Sequence, residues 1–262
     1  MLNCSNIKVC DLSLNNIDDI IYVCSQEKIK NPEHLKGIKM KKNWIKNMLK
    51  QHSKIGKIAY LNDKPVGQII YYPHHFDPLY WGLNGKAMII HCIYCPFEWA
   101  QRKGVGTILL NSVIGEAKKQ GCDFTIVNAF DTGEFLPMPK FYMKRGFKKM
   151  QDLKDHYYLS LSNKEPKLKP MECKRTSEDK NKAIVFYSCV CQFFYPFTLK
   201  IKKIILEVLP NYSVEVVNYW ENPDLFLSKG KNWILVNGIP IKTWVREEEK
   251  FRQEVLAASQ QE

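Results

Sequence analysis

Hydrophobic residues recur along the chain at helical and at strand spacing, and these patterns predict its elements. Residues 15–30 and 32–51 place apolar side chains three and four positions apart, which is typical of amphipathic helices. The segment KIAYLNDKPVGQIIYY has two β-rich runs around the turn residues Asn62 to Pro65, so it predicts a β-hairpin. The run AMIIHCIYC, after a break rich in His, Pro and Gly, predicts a central strand.

The alternation of elements continues to about residue 160. From Thr107 onward apolar residues recur at helical spacing, and Gly121 suits the position just past the end of that helix. DFTIVNAF predicts another buried strand, PMPKFYMKRGF a short helix ending at Gly146, and residues 157–161 a final strand. We therefore expect an α/β (α+β) domain over residues 1–160.

Residues 161–182 break the pattern. They hold few apolar residues, two prolines and many charges, as expected of a linker or an exposed loop. Residues 183–262 then resume in the order β-α-β-α-β-β-α, with a hairpin turning at Asn237-Gly238. The pattern predicts two domains joined by a charged linker.

Composition excludes several classes of protein. A 262-residue chain with 45% hydrophobic and 25% charged residues is typical of a soluble globular protein. No leader-like segment or run of about 18 apolar residues is present, so we expect no membrane span and a cytoplasmic location. The nine cysteines are spread over both halves, which favours reduced thiols over a disulfide framework.

The net charge of +12 is uneven, because residues 1–160 carry 23 Lys and Arg against 14 Asp and Glu, whereas residues 183–262 carry 9 of each. A positive field in the first domain favours an anionic ligand. We expect no nucleic-acid partner, since no basic stripe interleaved with stacking aromatics is present.

The segment QRKGVG, Gln101 to Gly106, stands between the predicted central strand and the helix that follows it. A helix N-terminus offers unpaired amides and the positive end of the helix dipole to a phosphate. Gly104 and Gly106 would let the ligand approach the backbone, and Arg102 and Lys103 add positive charge. The alternative is a tight turn that binds nothing.

The spacing in QRKGVG resembles the acetyl-CoA signature of the GCN5-related N-acetyltransferase (GNAT) family, Gln/Arg-x-x-Gly-x-Gly/Ala. KFYMKRGF, residues 140–147, is similar to the second signature of that family and lies one strand further along the chain. The resemblance implies the GNAT fold, a mixed, mostly antiparallel twisted sheet flanked by helices. It also implies acetyl-CoA as the co-substrate.

The same resemblance implies which residues hold the coenzyme. The loop and the first helical turn would bind its pyrophosphate, and the end of the preceding strand would pair with its pantetheine arm. The implied cofactor-binding residues are Ile93, Tyr94, Cys95, Gln101, Arg102, Lys103, Gly104, Val105, Gly106, Thr107 and Asn128.

Two catalytic functions need residues. Tyr142, at the tyrosine of the second signature, is implied as the acid that protonates the departing thiolate; the alternative is an aromatic that only packs. An attacking amine must also lose a proton. We rank Glu98 first as the base, because it lies just ahead of the loop, with His91, Asp131 and Glu134 as alternatives.

A metal site at His91, Cys92 and Cys95, with His74 and His75 as further donors, is not expected. Cys92 and Cys95 are three apart on a predicted strand and so point to opposite faces. Core packing is the simpler interpretation of these cysteines.

The second domain resembles a thioredoxin-like domain and, more narrowly, the small YoaP-like domain that follows an acetyltransferase in some bacterial proteins. YSCVCQFFYPFT and NWILVNGIPI carry this resemblance. The chain departs from the redox pattern, since it has Cys189-Val190-Cys191 in place of Cys-x-x-Cys and Lys231-Asn232 in place of a proline. A binding or scaffold module is the preferred interpretation, and thiol chemistry is the alternative.

The leading hypothesis is an acyltransferase that moves acetyl from acetyl-CoA to a primary amine by direct attack in a ternary complex. The alternative is an acyl-CoA-binding or partner-binding protein with a silent transferase site. We expect a small-molecule amine as acceptor, although a peptide amine stays open. Its pocket is expected near Trp44, Tyr72, His74 and Trp81.

Overall fold

The computed structural model describes residues 7–26, 30–130 and 137–261. The chain divides into two compact units. The first unit comprises Met1–Ile29 and Lys42–Lys169, and the second comprises Lys30–Lys41 and Pro170–Glu262. The division after Lys169 falls within the charged segment 161–182.

Within the described ranges, the first unit contains a seven-stranded sheet in the order β1-β2-β3-β4-β5-β7-β6. The strands are β1 Ile7–Asp11, β2 Gly56–Leu61, β3 Lys64–Pro73, β4 Ala87–Tyr94, β5 Phe124–Asn128, β6 Lys148–Lys149 and β7 His156–Ser160. The helices are α1 Ile17–Ser25, α2 Pro32–Gln51, of which the part from Lys42 belongs to this unit, α3 Val105–Lys119 and α4 Met138–Met143.

Neighbouring strands of this sheet are antiparallel except β4 and β5, which are parallel. The prediction of a mixed, mostly antiparallel sheet flanked by helices is therefore confirmed. The β2–β3 hairpin turns at Asn62 and Asp63, whose φ angles of 51° and 58° are both positive. Such a pair of left-handed residues matches the twist of the flanking strands.

The core of the first unit lies between the central strands and α3. Leu109 and Val113 of α3 are fully buried against side chains of β3 and β4, including Ile69 and Ile90. The helical period predicted from Thr107 thus marks the face of α3 that covers the sheet. Gly121, with φ at 65°, follows the last turn of α3 as predicted.

Within the described ranges, the second unit has a four-stranded sheet in the order β11-β10-β8-β9. Strands β8 and β9 are parallel, and the other neighbours are antiparallel. Its elements are β8 Lys182–Tyr187, α5 Phe194–Val208, β9 Ser213–Asn218, α6 Pro223–Ser228, β10 Ile234–Val236, β11 Ile239–Pro240 and α7 Glu248–Ser259. This is the predicted β-α-β-α-β-β-α order.

A buried ion pair links the segment before β8 to the residue that follows α6. Lys229 Nζ donates to Asp179 Oδ2 at 2.7 Å, and both side chains are almost fully buried. Asp179 also accepts from the amide of Thr176, so residues 176–179 are fixed in a capped turn.

In the described part of the chain, no helix combines the length and the apolar character needed to cross a membrane.

Candidate active site

Strands β4 and β5 run together and then separate. Their parallel register extends from the Ala87–Phe124 pair to the Ile90–Val127 pair, whereas β4 continues to Tyr94 alongside β3. Beyond Ile90, the edge of β4 that faced β5 therefore borders an opening in the sheet. We name this the β4–β5 opening. An extended ligand can lie along a strand edge of this kind and use its backbone groups.

The opening begins at a β-bulge. Ile70 pairs with Cys92 and Tyr71 with Ile90, so His91 is the extra residue on β4. A bulge bends its strand and re-aims the following side chains. As a result, Ile90 before the bulge and Ile93 after it pack against one and the same core.

The predicted glycine loop leads into α3. Gly104 is the N-cap residue, with φ at 85°, and Arg102 is also left-handed, with φ at 58°. A Cβ built on Gly104 would meet nothing within 4 Å, so the backbone conformation, and not crowding, demands glycine here.

The N-terminus of α3 is open to an anion. The helix, all of which is described, has no acidic residue in its first turn and no side chain capping it. Its first amides, at Val105, Gly106 and Thr107, precede the bond from Ile108 N–H to Gly104 C=O that starts the helical ladder. These amides and the helix dipole favour a negative group at this end.

The two sequence signatures meet at this helix turn. A Cβ on Gly106 would lie 3.6 Å from the Phe141 ring, which belongs to the second signature. Arg145 donates from Nη2 to Thr107 Oγ1 at 2.7 Å and from Nη1 to the Phe141 carbonyl at 2.7 Å. Its guanidinium also lies 3.8 Å from the centre of the Phe141 ring.

Arg145 is a site residue that the sequence analysis missed. It fixes α4 to the first turn of α3 and adds a cation there. Because Thr107 Oγ1 accepts from Arg145, its own hydrogen is available to an anion at the loop. The only sequence signal was one more cation inside KFYMKRGF.

Tyr142 is fully buried between the rings of Phe141 and Phe147. Its hydroxyl has no hydrogen-bond partner among the described residues. Burial raises the pKa of Tyr142 far above its usual value, and the nearby thiols of Cys92 and Cys95 act in the same direction. The hydroxyl therefore keeps its proton at neutral pH and can donate it to an anion that forms beside it.

Cys92 of β4 and Cys95, one residue past its end, lie on opposite faces of the sheet, as predicted. Cys95 packs against the α3 core, and burial raises its pKa to about 12. Cys92 accepts a hydrogen bond from Gln68 Nε2 at 3.0 Å. Among the described residues, no three His, Cys, Asp or Glu side chains come together as a metal site.

The remaining predicted cofactor residues border the opening and the loop. Ile93 and Tyr94 end β4, opposite Ile69 and Gln68 of β3. Arg102 and Lys103 are exposed.

The amides Gln101 and Asn128 both bond to protein groups. Gln101 is exposed, and its Nε2 donates to the Pro96 carbonyl at 3.4 Å, so its side chain braces the loop. Asn128 ends β5, and its Nδ2 donates to the ring of buried His156. His156 Nδ1 in turn donates to the Lys154 carbonyl at 2.7 Å.

The predicted bases differ in their surroundings. Glu98 is exposed and begins a single 3-10 turn, Glu98–Ala100, ahead of the loop. Asp131 and Glu134 lie outside the described residues. His91 is half-buried, at the bulge where the opening begins.

His91 joins a hydrogen-bonded chain that the sequence analysis did not find. Tyr72 OH donates to Asp77 Oδ2 at 2.9 Å and lies 3.1 Å from His91 Nδ1. Asp77 Oδ1 accepts from the Leu79 amide at 3.0 Å. Tyr72 and Asp77 are both buried.

The residues expected near the acceptor only partly come together. Trp44 packs edge-on against Tyr72, with ring centres 5.6 Å apart. His74 Nδ1 accepts from the Ala87 amide at 3.2 Å. The exposed Trp81 donates to the His75 carbonyl at 3.1 Å.

In the second unit, Cys189 and Cys191 lie in the turn between β8 and α5. Cys189 is buried and Cys191 is half-buried. Ser188 Oγ, beside them, accepts from Trp220 Nε1 at 3.1 Å and from the Val190 amide at 3.3 Å.

The comparison with protein families supports acyltransferase activity for this chain. Residues 21–147 match the family model described as the acetyltransferase (GNAT) family. The expectation from the two signatures is confirmed at this level.

Several solved acetyltransferases are similar to part of this chain. An N-acetyltransferase from Staphylococcus aureus Mu50 is 18% identical, with a TM-score of 0.44 over 60% of this chain and 100% of its own. A GNAT acetyltransferase from Brucella melitensis, solved with acetyl-CoA, is 11% identical, with a TM-score of 0.41 over 63% and 94%. The PaiA N-acetyltransferase from Thermoplasma acidophilum, solved with coenzyme A, is 18% identical, with a TM-score of 0.42 over 58% and 96%. A comparison with curated proteins gives no match.

Proposed function

We propose that this protein transfers the acetyl group of acetyl-CoA to a primary amine, by direct attack of the amine on the thioester in a ternary complex. The observation that carries the proposal is the buried Tyr142 hydroxyl, which has no partner among the described residues. An unsatisfied buried hydroxyl costs about 1–3 kcal/mol, a cost that Tyr71 shares. The hydroxyl of Tyr142 also lies near Cys92 and Cys95 at the end of β4, where the β4–β5 opening could admit a ligand that completes it. A thiolate leaving a thioester is such a ligand.

The residues around the β4–β5 opening suit coenzyme A. The amides of Val105 and Gly106, the Thr107 hydroxyl and the left-handed Gly104 form an anion site for its pyrophosphate. The end of β4 at Ile93 and Tyr94, with Cys95 just past it, can bond the amides of the pantetheine arm, and Asn128 lies on the β5 side of the opening. Arg102 and Lys103 add positive charge, and Gln101 braces the loop.

The chemical step follows from these groups. The lone pair of the neutral amine forms the new C–N bond at the thioester carbon, and the C–S bond breaks with its electrons moving to sulfur. Tyr142 donates its proton to the sulfur as the thiol of CoA leaves. A covalent acetyl-cysteine is disfavoured, because burial raises the Cys95 pKa to about 12 and so keeps this residue a thiol. A thiol is a much poorer nucleophile than a thiolate.

The attacking amine must lose a proton, and among the predicted bases that the structure describes its acceptor would be either Glu98, exposed ahead of the loop, or His91, at the bulge. For the amine itself we propose a small molecule, bound near the Trp44–Tyr72 pair. Peptide amines remain the second class of acceptor.

We propose that the second unit is a thioredoxin-like domain of the YoaP-like kind. The sheet order β11-β10-β8-β9, with parallel β8 and β9 in a β-α-β-α-β-β-α chain, supports this. It serves as a binding or scaffold module. Thiol chemistry at Cys189 and Cys191 is less favoured, since burial of Cys189 restricts access to its sulfur.

The experiment is acetyl-CoA turnover with a panel of primary amines, comparing the native chain with Tyr142→Phe. General acid catalysis contributes about 10²–10⁴-fold, so kcat should fall by that factor while acetyl-CoA still binds. Tyr71→Phe is a matched control, because Tyr71 is also fully buried in the same core with an unpartnered hydroxyl among the described residues. It should retain activity.

Two outcomes would contradict the proposal. Equal kcat in both variants would remove Tyr142 from the chemistry. Binding of acetyl-CoA by the native chain, without release of CoA in the presence of any amine, would favour the acyl-CoA-binding alternative.

A further inference from the structure

We infer that His91 is the base that takes the proton of the acceptor amine, and that Tyr72 and Asp77 are positioning residues that hold its imidazole. The inference rests on the proposed acetyl transfer and names the group which that reaction needs opposite Tyr142. The hydrogen-bonded chain and its place at the β4–β5 opening carry it.

The directions of the hydrogen bonds set the tautomer of His91. The single hydroxyl hydrogen of Tyr72 is donated to Asp77 Oδ2, at 2.9 Å. The Tyr72 oxygen can then only accept from His91 Nδ1, 3.1 Å away, so Nδ1 carries the hydrogen. The lone pair of the neutral ring is therefore on Nε2, the nitrogen that would accept a proton.

The chain of hydrogen bonds from His91 through Tyr72 is held rigidly at its Asp77 end. Asp77 Oδ1 accepts from the Leu79 amide at 3.0 Å, which fixes the carboxylate at the start of the turn Pro78–Tyr80. Tyr72 and Asp77 are almost fully buried, 0% and 2% exposed, so solvent does not compete for these bonds. A carboxylate linked to the imidazole through one hydroxyl also stabilises the imidazolium that forms when Nε2 is protonated.

The base and the acid lie on opposite faces of the sheet. Tyr71 and Ile90 belong to the same core cluster as Tyr142. Tyr72 follows Tyr71 on β3, so its side chain points to the other face, where it contacts Trp44 of α2. An amine that enters from the α2 face meets the base, while the sulfur leaves beside the acid on the α3 face.

The bulge supplies the placement. His91 is the extra residue of the β-bulge, and it lies one position past the last pair between β4 and β5. Without the bulge, position 91 would pair with β3, and its side chain would point in another direction. Bulges next to active sites re-aim side chains in this way.

The proposed proton transfers balance. The amine proton moves to His91 Nε2 as the C–N bond forms, and the proton of Tyr142 moves to the sulfur as the C–S bond breaks. The products are the acetylated amine and the thiol of CoA. His91 and Tyr142 then return to their starting states by net transfer of one proton from the imidazolium to the tyrosinate through solvent.

The test compares three variants in amine-dependent CoA release. His91→Gln should lower kcat by about 10²–10⁴-fold, the usual contribution of a general base. Tyr72→Phe and Asp77→Asn should lower kcat by about 10²-fold, since they misplace the base without removing it. KM for acetyl-CoA should stay unchanged. Tyr72→Phe should lower the melting temperature, because it removes a hydrogen bond from the buried Asp77 carboxylate, whereas Asp77→Asn keeps an oxygen for the Leu79 amide.

Tyr60→Phe is the matched control. Tyr60, on the neighbouring strand β2, donates to Asp19 Oδ2 at 2.5 Å, and Cys10 and Asn16 are the other groups near its hydroxyl that affect its pKa. Its kcat should equal that of the native chain.

A second readout does not depend on the acceptor. In ¹⁵N NMR spectra, His91 of the native chain should show hydrogen on Nδ1, and Tyr72→Phe should shift the population toward hydrogen on Nε2. A native His91 that carries its hydrogen on Nε2 would overturn the inference.

The kinetic outcomes separate the inference from the proposed function. Full kcat in His91→Gln, or a large loss in Glu98→Gln alone, would overturn the inference and leave acetyl transfer standing. A native chain that binds acetyl-CoA and turns over no amine would overturn the proposed function and the inference together.

Discussion

Replacing Gly104 by Glu should abolish the response of the protein to acetyl-CoA. The residue is left-handed, with φ at 85° and no atom within 4 Å of its Cβ position, so the new side chain fits but the backbone is strained. A left-handed non-glycine residue costs roughly 1–2 kcal/mol. The carboxylate would also occupy the end of α3 where we propose the pyrophosphate binds.

Gly121 offers a control with the same strain. It is left-handed, with φ at 65°, and a Cβ there also meets nothing within 4 Å, but it stands at the opposite end of α3. Gly121→Glu should therefore lose a similar stability. A negative charge is favourable at the N-terminus of a helix and unfavourable at its C-terminus by about 0.3–1 kcal/mol, so the Gly121 variant should be slightly the less stable of the two.

The assay is thermal unfolding with and without acetyl-CoA, because the expected stabilisation by the ligand is large enough to measure as a shift in melting temperature. Ligand at about 100 times its Kd adds roughly 2.7 kcal/mol to the stability of the unit that binds it. At about 2–4 °C per kcal/mol, the transition of the native chain should rise by about 5–11 °C.

The two variants should respond differently. Gly121→Glu should show the full rise. If Gly104→Glu weakens binding about 100-fold, the same ligand concentration adds only about 0.4 kcal/mol. Equal rises in the two variants would refute the idea that the N-terminus of α3 holds the coenzyme.

Two further predictions concern stability. Lys229→Met should destabilise the second unit by about 3–5 kcal/mol in urea unfolding, because it leaves the buried Asp179 carboxylate without its cation, and Lys229→Met with Asp179→Leu should recover most of the loss; an unchanged midpoint in the single variant would contradict this. Burial lowers the pKa of His52, His74 and His156 in the first unit, so these rings stay neutral when folded and become protonated on unfolding as the pH falls below about 6.5. The free energy of unfolding should therefore fall between about pH 7 and pH 5, above the range where carboxylates titrate, and His156→Gln should reduce that slope; a slope unaffected by this variant would count against the assignment.

Elements with a strong local signal could be predicted from the sequence. The helical spacing of apolar residues predicts the helix after the glycine loop. The residue types at Asn62-Asp63 and Asn237-Gly238 predict the two hairpin turns. Two strands, β1 and β6, could not be predicted from the sequence. β1 is five residues long and carries a lysine and an aspartate, and β6 consists of Lys148 and Lys149, which are strand only because they pair with β7.

The candidate site divides in the same way. The loop and Tyr142 follow from spacing within short segments. The bond from Arg145 to Thr107 and the chain from His91 through Tyr72 to Asp77 join residues from separate elements, and no local pattern marks such pairs. The bulge at His91 is likewise set by pairing with β3 and not by the residues of β4 alone.

The buried ion pair shows why residues 161–182 were difficult to interpret. Their low apolar content indicates a linker, yet Asp179 lies in the interior of the second unit because Lys229, 50 positions later, neutralises it. Burial raises the pKa of Asp179, and its bonds to Lys229 and Thr176 more than offset this effect. The composition of a segment gives its charge, but it does not show which residue elsewhere in the chain neutralises that charge.

The most direct test of the central claim is to quantify, by mass spectrometry, the CoA and the acetylated amine formed from acetyl-CoA across the amine panel. Direct transfer predicts that both products appear together in equal amounts with at least one primary amine, and that the protein itself gains no acetyl group. Release of CoA without an acetylated amine, or acetylation of Cys95, would contradict the account.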